Sequence, residues 1–410
     1  MKKLLVLAIV LRLLLAAFYF HPDIKTYNFQ ASFLKKGVFN IYSYLIDNKK
    51  TLPLKEEFVY SPLTYFVLGG YQAVVSPILG NGFDTWLANA ESNFMVRDPN
   101  IFKYLLILKL PYLVLDIVIA LLLMQFFDDE KNKKKVFILW LFNPFTPILL
   151  YVFANVDIFP VVLTLAAFLF VKKSREAGSR FARQKLFTAA LLFGFASGFK
   201  LYPLLFVPFL FIHGRNLKEK LLLALTPPAI FGLISLPFAS GAFVQSALVS
   251  GLSTRVFNPG VNIGLNETII VSLLAISVLF FYGAFIDKAQ NLFNFWVGVY
   301  LLIFSFAHFH IAWLLWLAPF FVVLIVRRPS LKWLFLILAF LAFAIPVLYE
   351  DRFMTVGLLR VFSTLYDLLP TPFAVLENFY DPYNLQGILH SILAGGSLVL
   401  VYKLFKKEET

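Results

Sequence analysis

The chain contains no cysteine, which excludes disulfides and thiolate metal sites and leaves the compartment open. Charge is scarce: 14% of the 410 residues are Asp, Glu, Lys or Arg, against about 25% in soluble domains. Acids are the scarcer sign, 23 against 36 Lys and Arg, for a net charge of +13. No Walker or glycine-rich nucleotide loop occurs, nor any low-complexity linker or internal repeat of roughly 20–50 residues. What fills the space is apolar: 60% of residues are hydrophobic, Phe alone accounts for 49, and the mean hydropathy is +0.80. No soluble domain hides that much apolar surface. Many runs reach the roughly 17–25 residues that cross a hydrocarbon core. The chain therefore reads as an all-α polytopic membrane protein, a single domain over residues 1–410. The basic excess reads as cytoplasmic loops and not as a nucleic-acid surface.

The first run, 4–20, follows Lys2 and Lys3 and lacks a small-residue cleavage site, so it reads as a retained helix with a cytoplasmic N-terminus. Basic loops follow at 131–135, 172–185 and 214–220, at Lys288, at 327–332 and in the tail at Lys403, Lys406 and Lys407. Placing all of them inside requires spans near 4–20, 102–127, 136–154, 157–171, 186–199, 200–213, 219–240, 267–286, 291–306, 309–326, 331–348 and 385–402, about twelve, with both termini cytoplasmic. The segments 186–199 and 200–213 are short and read as a helical hairpin or tilted half-helices around Lys200. Segment 60–80 is apolar enough to cross, but crossing would invert every later basic loop. It reads instead as a membrane-dipping or surface helix within a long outer segment, 21–101. The other outer loops are 241–266 and 349–384.

An ionisable residue in or beside a span is costly and therefore a functional candidate. This topology gathers Asp23, Asp157, Lys200, Arg255, His308, His310, Glu350, Asp351, Arg352 and Arg360 at the outer face, with Asp116 inside the second span. Each has a plainer reading. Asp116 pairs with Lys109 or Lys103 on its own helix. Asp157, with Asn155, caps the following helix. Lys200 snorkels to headgroups. His308 and His310 flank Phe309, too few and too offset for a metal site, so no metal is expected. Glu350 and Asp351 are solvated loop charges. Most Phe contacts lipid, with the remainder free to line a lipid-tail groove. Asp23 opens a segment with Ile24, Tyr27, Ala31 and Leu34 at helical spacing. That pattern predicts an amphipathic helix on the membrane with a carboxylate at its favourable N-terminus.

Asp23, Tyr27, Ala31, Leu34, Gly37 and Ile41-Tyr42, followed by Tyr60-Ser61-Pro62-Leu63, resemble the first outer loop of the GT-C superfamily of membrane glycosyltransferases. The nearest likeness is to the bacterial polyprenyl-phosphate-mannose-dependent mannosyltransferases of glycosyltransferase family 87. Lys109-Leu110-Pro111 with Asp116, Phe142-Asn143-Pro144 with Asn155 and Asp157, Lys200 with Pro203 and Pro208, and His308 to Pro319 resemble later segments. The likeness covers a core of about residues 1–320 and leaves variable C-terminal helices at about 331–410. It implies a catalytic carboxylate at Asp23, although His-Pro-Asp-Ile departs from the Ser-Asp-Phe context expected there. It implies a lipid-phosphate sugar as substrate and no nucleotide, metal or other cofactor. The implied reaction is inverting transfer of a hexose, mannose by the likeness, from a polyprenyl phosphate to an acceptor hydroxyl on a glycolipid, glycan or protein. The reaction would take place outside the cytoplasm of a bacterial or archaeal plasma membrane. Lys200, Arg255, His308 and His310 are the donor-phosphate candidates; Tyr27, Tyr60, Asp116, Asn155 and Asp157 are further site candidates. A transporter or lipid-linked-sugar flippase would also have many spans with ionisable residues. It predicts inverted symmetry and acids at mid-membrane; no internal symmetry is seen, and the acids cluster at the outer face.

Overall fold

Pro22 bends the chain sharply at the end of the first helix, and that bend positions the start of the second. In the computed structural model, which describes residues 2–91, 96–176, 179–251, 254–286 and 291–406, α1 (Lys2–Phe18) meets α2 (Pro22–Ser32) at 78°. Proline lacks an N–H and forces the preceding residue out of the helical region. His21 is accordingly extended, at φ −120° and ψ 139°. The chain then forms α3 (Ile41–Asp47), α4 (Pro62–Leu79), α5 (Gly82–Ala88), α6 (Ile101–Met124) and α7 (Glu130–Phe142). A π-helical turn at Ile148–Val152 leads to the antiparallel pair α8 (Ile158–Arg175) and α9 (Ser179–Ser197). A 3-10 segment, Tyr202–Phe206, continues into α10 (Val207–His213), and α11 (Leu217–Ser235) returns beside it. After the hairpin β1 (Gly260–Gly264) and β2 (Glu267–Ile270) come α12 (Val271–Phe285), α13 (Leu292–Phe306), α14 (Ala318–Arg327), α15 (Lys332–Val347) and α16 (Pro382–Phe405).

The protein is an all-α polytopic membrane protein in outline, and helices occupy all twelve apolar segments. Fewer of them qualify as spans. Among the described residues, Ile101–Met124, Leu217–Phe238, Pro329–Val347 and Pro382–Phe405 are each long and apolar enough to cross a bilayer. Two bent pairs, Lys2–Phe18 with Pro22–Lys36 and Glu130–Phe142 with Phe145–Val152, bring the number to six. The physical reason is length. The 15-residue helices α12 and α13 rise about 22 Å, short of a roughly 30 Å core. The expected half-helix at 186–199 is instead a 19-residue helix. The expected span 267–286 begins as a strand, because Leu265 and Asn266 take positive φ (46° and 67°) and turn the chain into an exposed hairpin. Of the basic positions, Lys288 and Lys407 lie outside the described residues.

Helix α2 is not a surface-lying amphipathic helix. Lys25, Asn28 and Gln30 are buried along with Ile24, Phe29 and Ala31, because α4 and α5 cover its other side. Gln72 of α4 donates to the backbone oxygen and side-chain oxygen of Asn28, both at 2.8 Å. Gly69 lets α4 approach α2: a Cβ there would lie 2.7 Å from the Ala31 carbonyl oxygen. Phenylalanine is also less lipid-facing than expected. Phe168 meets Phe193, Phe206, Phe293, Trp296 and Phe320 at 5.2–6.0 Å between ring centroids, a mutual aromatic core between α8, α9, α13 and α14.

Asp116 does not pair with Lys109 or Lys103. Its carboxylate, fully buried, accepts from Arg12 Nε at 2.5 Å, Trp140 Nε1 at 2.6 Å and the Tyr151 hydroxyl at 2.9 Å. Lys109 instead donates to the carbonyls of Ala16, Tyr19 and Tyr151 at 2.7–3.0 Å. Those carbonyls include the end of α1, where the helix dipole favours a cation. Asp116 and Lys109 thus fasten α1 to α6 and the π turn, and Asp116 is withdrawn from the outer site. Removing one member of such a pair strands a charge, at a cost of about 3–5 kcal/mol, whereas removing both is far milder. Arg12→Leu should therefore lower the unfolding temperature in detergent sharply, and Arg12→Leu/Asp116→Leu should recover most of it. A single variant as stable as the parent would contradict the pairing.

Candidate active site

His21 and Asp23 stand at the N-terminus of α2. The Nδ1 of His21 accepts from the Asp23 backbone N–H at 3.3 Å and lies 3.7 Å from Asp23 Oδ2. One turn later, Tyr27 donates its hydroxyl to Asp23 Oδ2 at 2.8 Å, and the Tyr60 hydroxyl donates to that of Tyr27 at 3.2 Å. The Tyr60 ring, edge-on to Tyr27, lies 5.1 Å from the Lys200 ammonium. A continuous polar chain therefore joins Asp23 to Lys200, residues far apart in sequence and brought together by α2, α4 and the end of α9.

Lys200 does not snorkel freely. It grips Asp157 with contacts of 2.9 and 2.7 Å to the two carboxylate oxygens, and Trp316 Nε1 donates to Asp157 Oδ2 at 2.7 Å. The ammonium also lies 5.3 Å from the Trp316 ring, a cation–π contact. Asp157 does not cap α8 through its side chain. Asn155 takes the local structural role, with its Oδ1 accepting from the Asp157 N–H at 2.9 Å and its Nδ2 donating to the Ala312 carbonyl at 2.7 Å. These bonds hold buried Ala154 at φ 51°, a conformation that persists only where the surroundings enforce it. The two carboxylates thus differ in access. The Asp157 side chain is 0% exposed and that of Asp23 34%, so only Asp23 is open to an incoming group.

His310 begins the 3-10 segment Ile311–Trp316, its Nδ1 accepting from the Ala312 N–H at 3.2 Å. That bond leaves the proton on Nε2. Burial pushes the imidazole down to about 4, and the charges of Lys200, Arg255 and His21 act in the same direction against Asp23. His308 stacks on Tyr349 at 4.7 Å and is lowered too, first by burial and then by Arg255. Both histidines are neutral hydrogen-bonding groups at pH 7, which leaves Lys200 and Arg255 as the cations among these four residues. Among the described residues no three His, Asp or Glu side chains are placed to share a metal ion.

Several contributors carry no recognisable sequence signal. Tyr112, one turn before Asp116, lies within electrostatic reach of Asp23 and Asp157. Its buried hydroxyl and His21 Nε2 have no hydrogen-bond partner among the described residues. Two orphaned polar atoms beside one acid cluster are what a polar ligand would satisfy. The loop 349–384 packs beside this site: Phe20 N–H bonds the Leu358 carbonyl at 3.1 Å, and Phe353 meets the His21 ring at 6.4 Å. Glu350 and Asp351 are exposed, as expected, while Arg352 and Arg360 both hold Asp367.

An accessible carboxylate, Asp23, and the Lys200 ammonium paired with Asp157 thus lie together at one end of apolar helices. Residues 100–266 match the model of glycosyltransferase family 87, a match that points to a membrane glycosyltransferase of GT-C type. The matched stretch takes in Asp116, Asn155, Asp157, Lys200 and Arg255; Asp23, Tyr27, Tyr60, His308 and His310 lie outside it. No curated protein and no solved structure matches the chain.

The buried, neutral His310 carries a pH signature. Its folded pKa of about 4 is below the ordinary 6.5, so between those values the unfolded chain binds more protons and stability rises with pH. The contribution is fully present above pH 6.5 and is lost as the pH falls towards 4. His310→Gln should flatten the dependence of the unfolding temperature on pH across that window. An unchanged slope would mean that His310 is solvated.

Proposed function

We propose that the enzyme transfers a hexose, mannose by family likeness, from a polyprenyl monophosphate to an acceptor hydroxyl at the outer membrane face, with inversion at the anomeric carbon. The observation that carries this reading is that Asp23, and not Asp157, is the accessible member of the two site carboxylates and is coupled through Tyr27 and Tyr60 to the Lys200 end of the site. With Oδ2 held by Tyr27, Oδ1 of Asp23 accepts the proton of the acceptor hydroxyl. The acceptor oxygen bonds to the anomeric carbon as the bond from that carbon to the phosphate oxygen breaks on the opposite face. The departing polyprenyl phosphate leaves as an anion, so no general acid is required. Arg255 and Lys200 stabilise the charge that grows on it, and the Nε2–H of His310 and the hydroxyl of Tyr112 supply neutral hydrogen bonds. The reaction uses no nucleotide, metal or other cofactor; its partners are the lipid-linked donor, a glycolipid, glycan or protein acceptor, and membrane lipid.

An apolar crevice of about 130 Å³ supports a lipid-borne donor. It is lined by Leu301, Phe304, Leu314, Leu317, Phe321 and Leu338. Leu314 and Leu317 flank Trp316, which reaches Asp157 from the same short segment. Sidedness is supported by the helix directions. Helix α8 starts at Asp157 and ends at Lys172, Lys173 and Arg175, so the basic loops lie at the end away from Asp23 and Lys200.

General-base loss costs about 10²–10⁴-fold. Asp23→Asn should lower the rate of hexose transfer in that range while the protein still purifies folded and still binds the donor. Near-normal transfer by this variant would remove Asp23 as base. Because the chain lacks cysteine, orientation is separately testable: single cysteines at Asn48 and Ser179 should react with an impermeant maleimide from opposite sides of the membrane. Labelling of both from the outside would invert the topology.

A further inference from the structure

A second, differently built cavity lies at the far end of the same helices. It has a volume of about 650 Å³, within the roughly 300–1,000 Å³ usual for small-ligand sites. Its charged lining is Arg175 from the end of α8 with Arg215, Glu219 and Lys220 from the start of α11; its apolar wall is α12, through Phe281 and Phe285. Helix α8 has 18 residues, so Arg175 stands about 27 Å along the axis from Asp157. That is close to the thickness of a hydrocarbon core. If Asp157 marks one membrane interface, this cavity opens at the other, at the depth of lipid phosphates.

Its chemistry suits a phosphate on a lipid tail. Among the described residues three cations line the cavity beside one carboxylate, and that carboxylate is already committed. Glu219 is 4% exposed and receives Arg215 Nε at 3.1 Å, an Arg215 terminal nitrogen at 2.9 Å and the Arg215 backbone N–H at 3.1 Å. The Arg215–Glu219 pair is therefore part of the frame. The Lys220 ammonium rests 5.6 Å from the Phe211 ring centroid, with no carboxylate within 4 Å among the described residues. Arg175 contacts His213 Nδ1 at 3.5 Å. Beside these cations the wall turns apolar and outward: Phe281 is 57% exposed and Phe285 76%. A soluble anion would have no use for those rings, whereas the acyl chains of a lipid would cover them.

We infer that this cavity is a binding site for the phosphodiester headgroup of an anionic membrane lipid, with Arg175 and Lys220 on the phosphate and the acyl chains along Phe281 and Phe285. The site is separate from the transfer chemistry and does not depend on it. Basic pockets between membrane helices hold anionic headgroups because each cation near the surface adds to the attraction.

The test is native mass spectrometry of the purified full-length protein with phosphatidylglycerol and phosphatidylcholine of matched chains. The wild type should retain phosphatidylglycerol about tenfold or more over phosphatidylcholine, as two cations imply. Arg175→Ala/Lys220→Ala should abolish that preference. The charge-preserving Arg175→Lys/Lys220→Arg should keep most of it, which separates lost charge from lost fold, and Lys50→Ala/Lys103→Ala, elsewhere on the surface, should leave it intact. No preference in the wild type, or a preference that survives the alanine pair, would overturn the assignment. So would displacement of the lipid by millimolar inorganic phosphate, which would make the cavity a site for the free anion.

Discussion

The Asp157–Lys200 ion pair is the contact on which the candidate site depends. Asp157 starts α8 and Lys200 follows the end of α9, so the pair closes one end of the antiparallel hairpin that these helices form. Trp316 completes the carboxylate and draws in the segment that carries His310; Tyr60 lies against the ammonium and draws in α4. A charge pair buried in this way is a poor source of net stability, because desolvation offsets most of the attraction. What it supplies is position. With Asp157 satisfied by Lys200 and Trp316, the neighbouring carboxylate that stays open is Asp23, and the geometry thereby divides two acids into a buried and an accessible one.

The same rule operates deeper in the protein. Arg12, Asp116, Trp140 and Tyr151 form a buried polar knot, and Lys109 finds three carbonyls. In lipid each of these groups must be satisfied internally, so the polar residues of α1 and α6 act as fasteners. The lower cavity differs in bringing three cations, Arg175, Arg215 and Lys220, beside one carboxylate among the described residues.

Much of this was legible in the sequence, because a long apolar run has few alternatives to a helix and a charge beside it demands a reason. Asp23, Tyr27, Tyr60, Asp157 and Lys200 were all visible as polar exceptions in an apolar chain, and they converge. The unread parts share a cause. Arg12 bonds a residue 104 positions away, and no local pattern announces such a partner; Lys109 and Lys103 were nearer in sequence and lost to it. Tyr112 and Trp316 look like lipid-facing aromatics until the fold turns them inward. Hydropathy marks apolar segments without fixing their length, so 15-residue helices and bent pairs read like full spans. The hairpin at 260–270 depends on positive φ at Leu265, which leucine does not advertise.

The central claim is that one carboxylate activates the acceptor while a lipid phosphate departs from the opposite face of the sugar. The most direct measurement is the anomeric configuration of the first-turnover product, read by NMR, when the purified enzyme is given a polyprenyl-phosphate mannose of defined anomer and an acceptor alcohol. The account predicts a product of the opposite configuration to the donor. Retention of configuration, or no transfer from any polyprenyl-phosphate hexose, would contradict it.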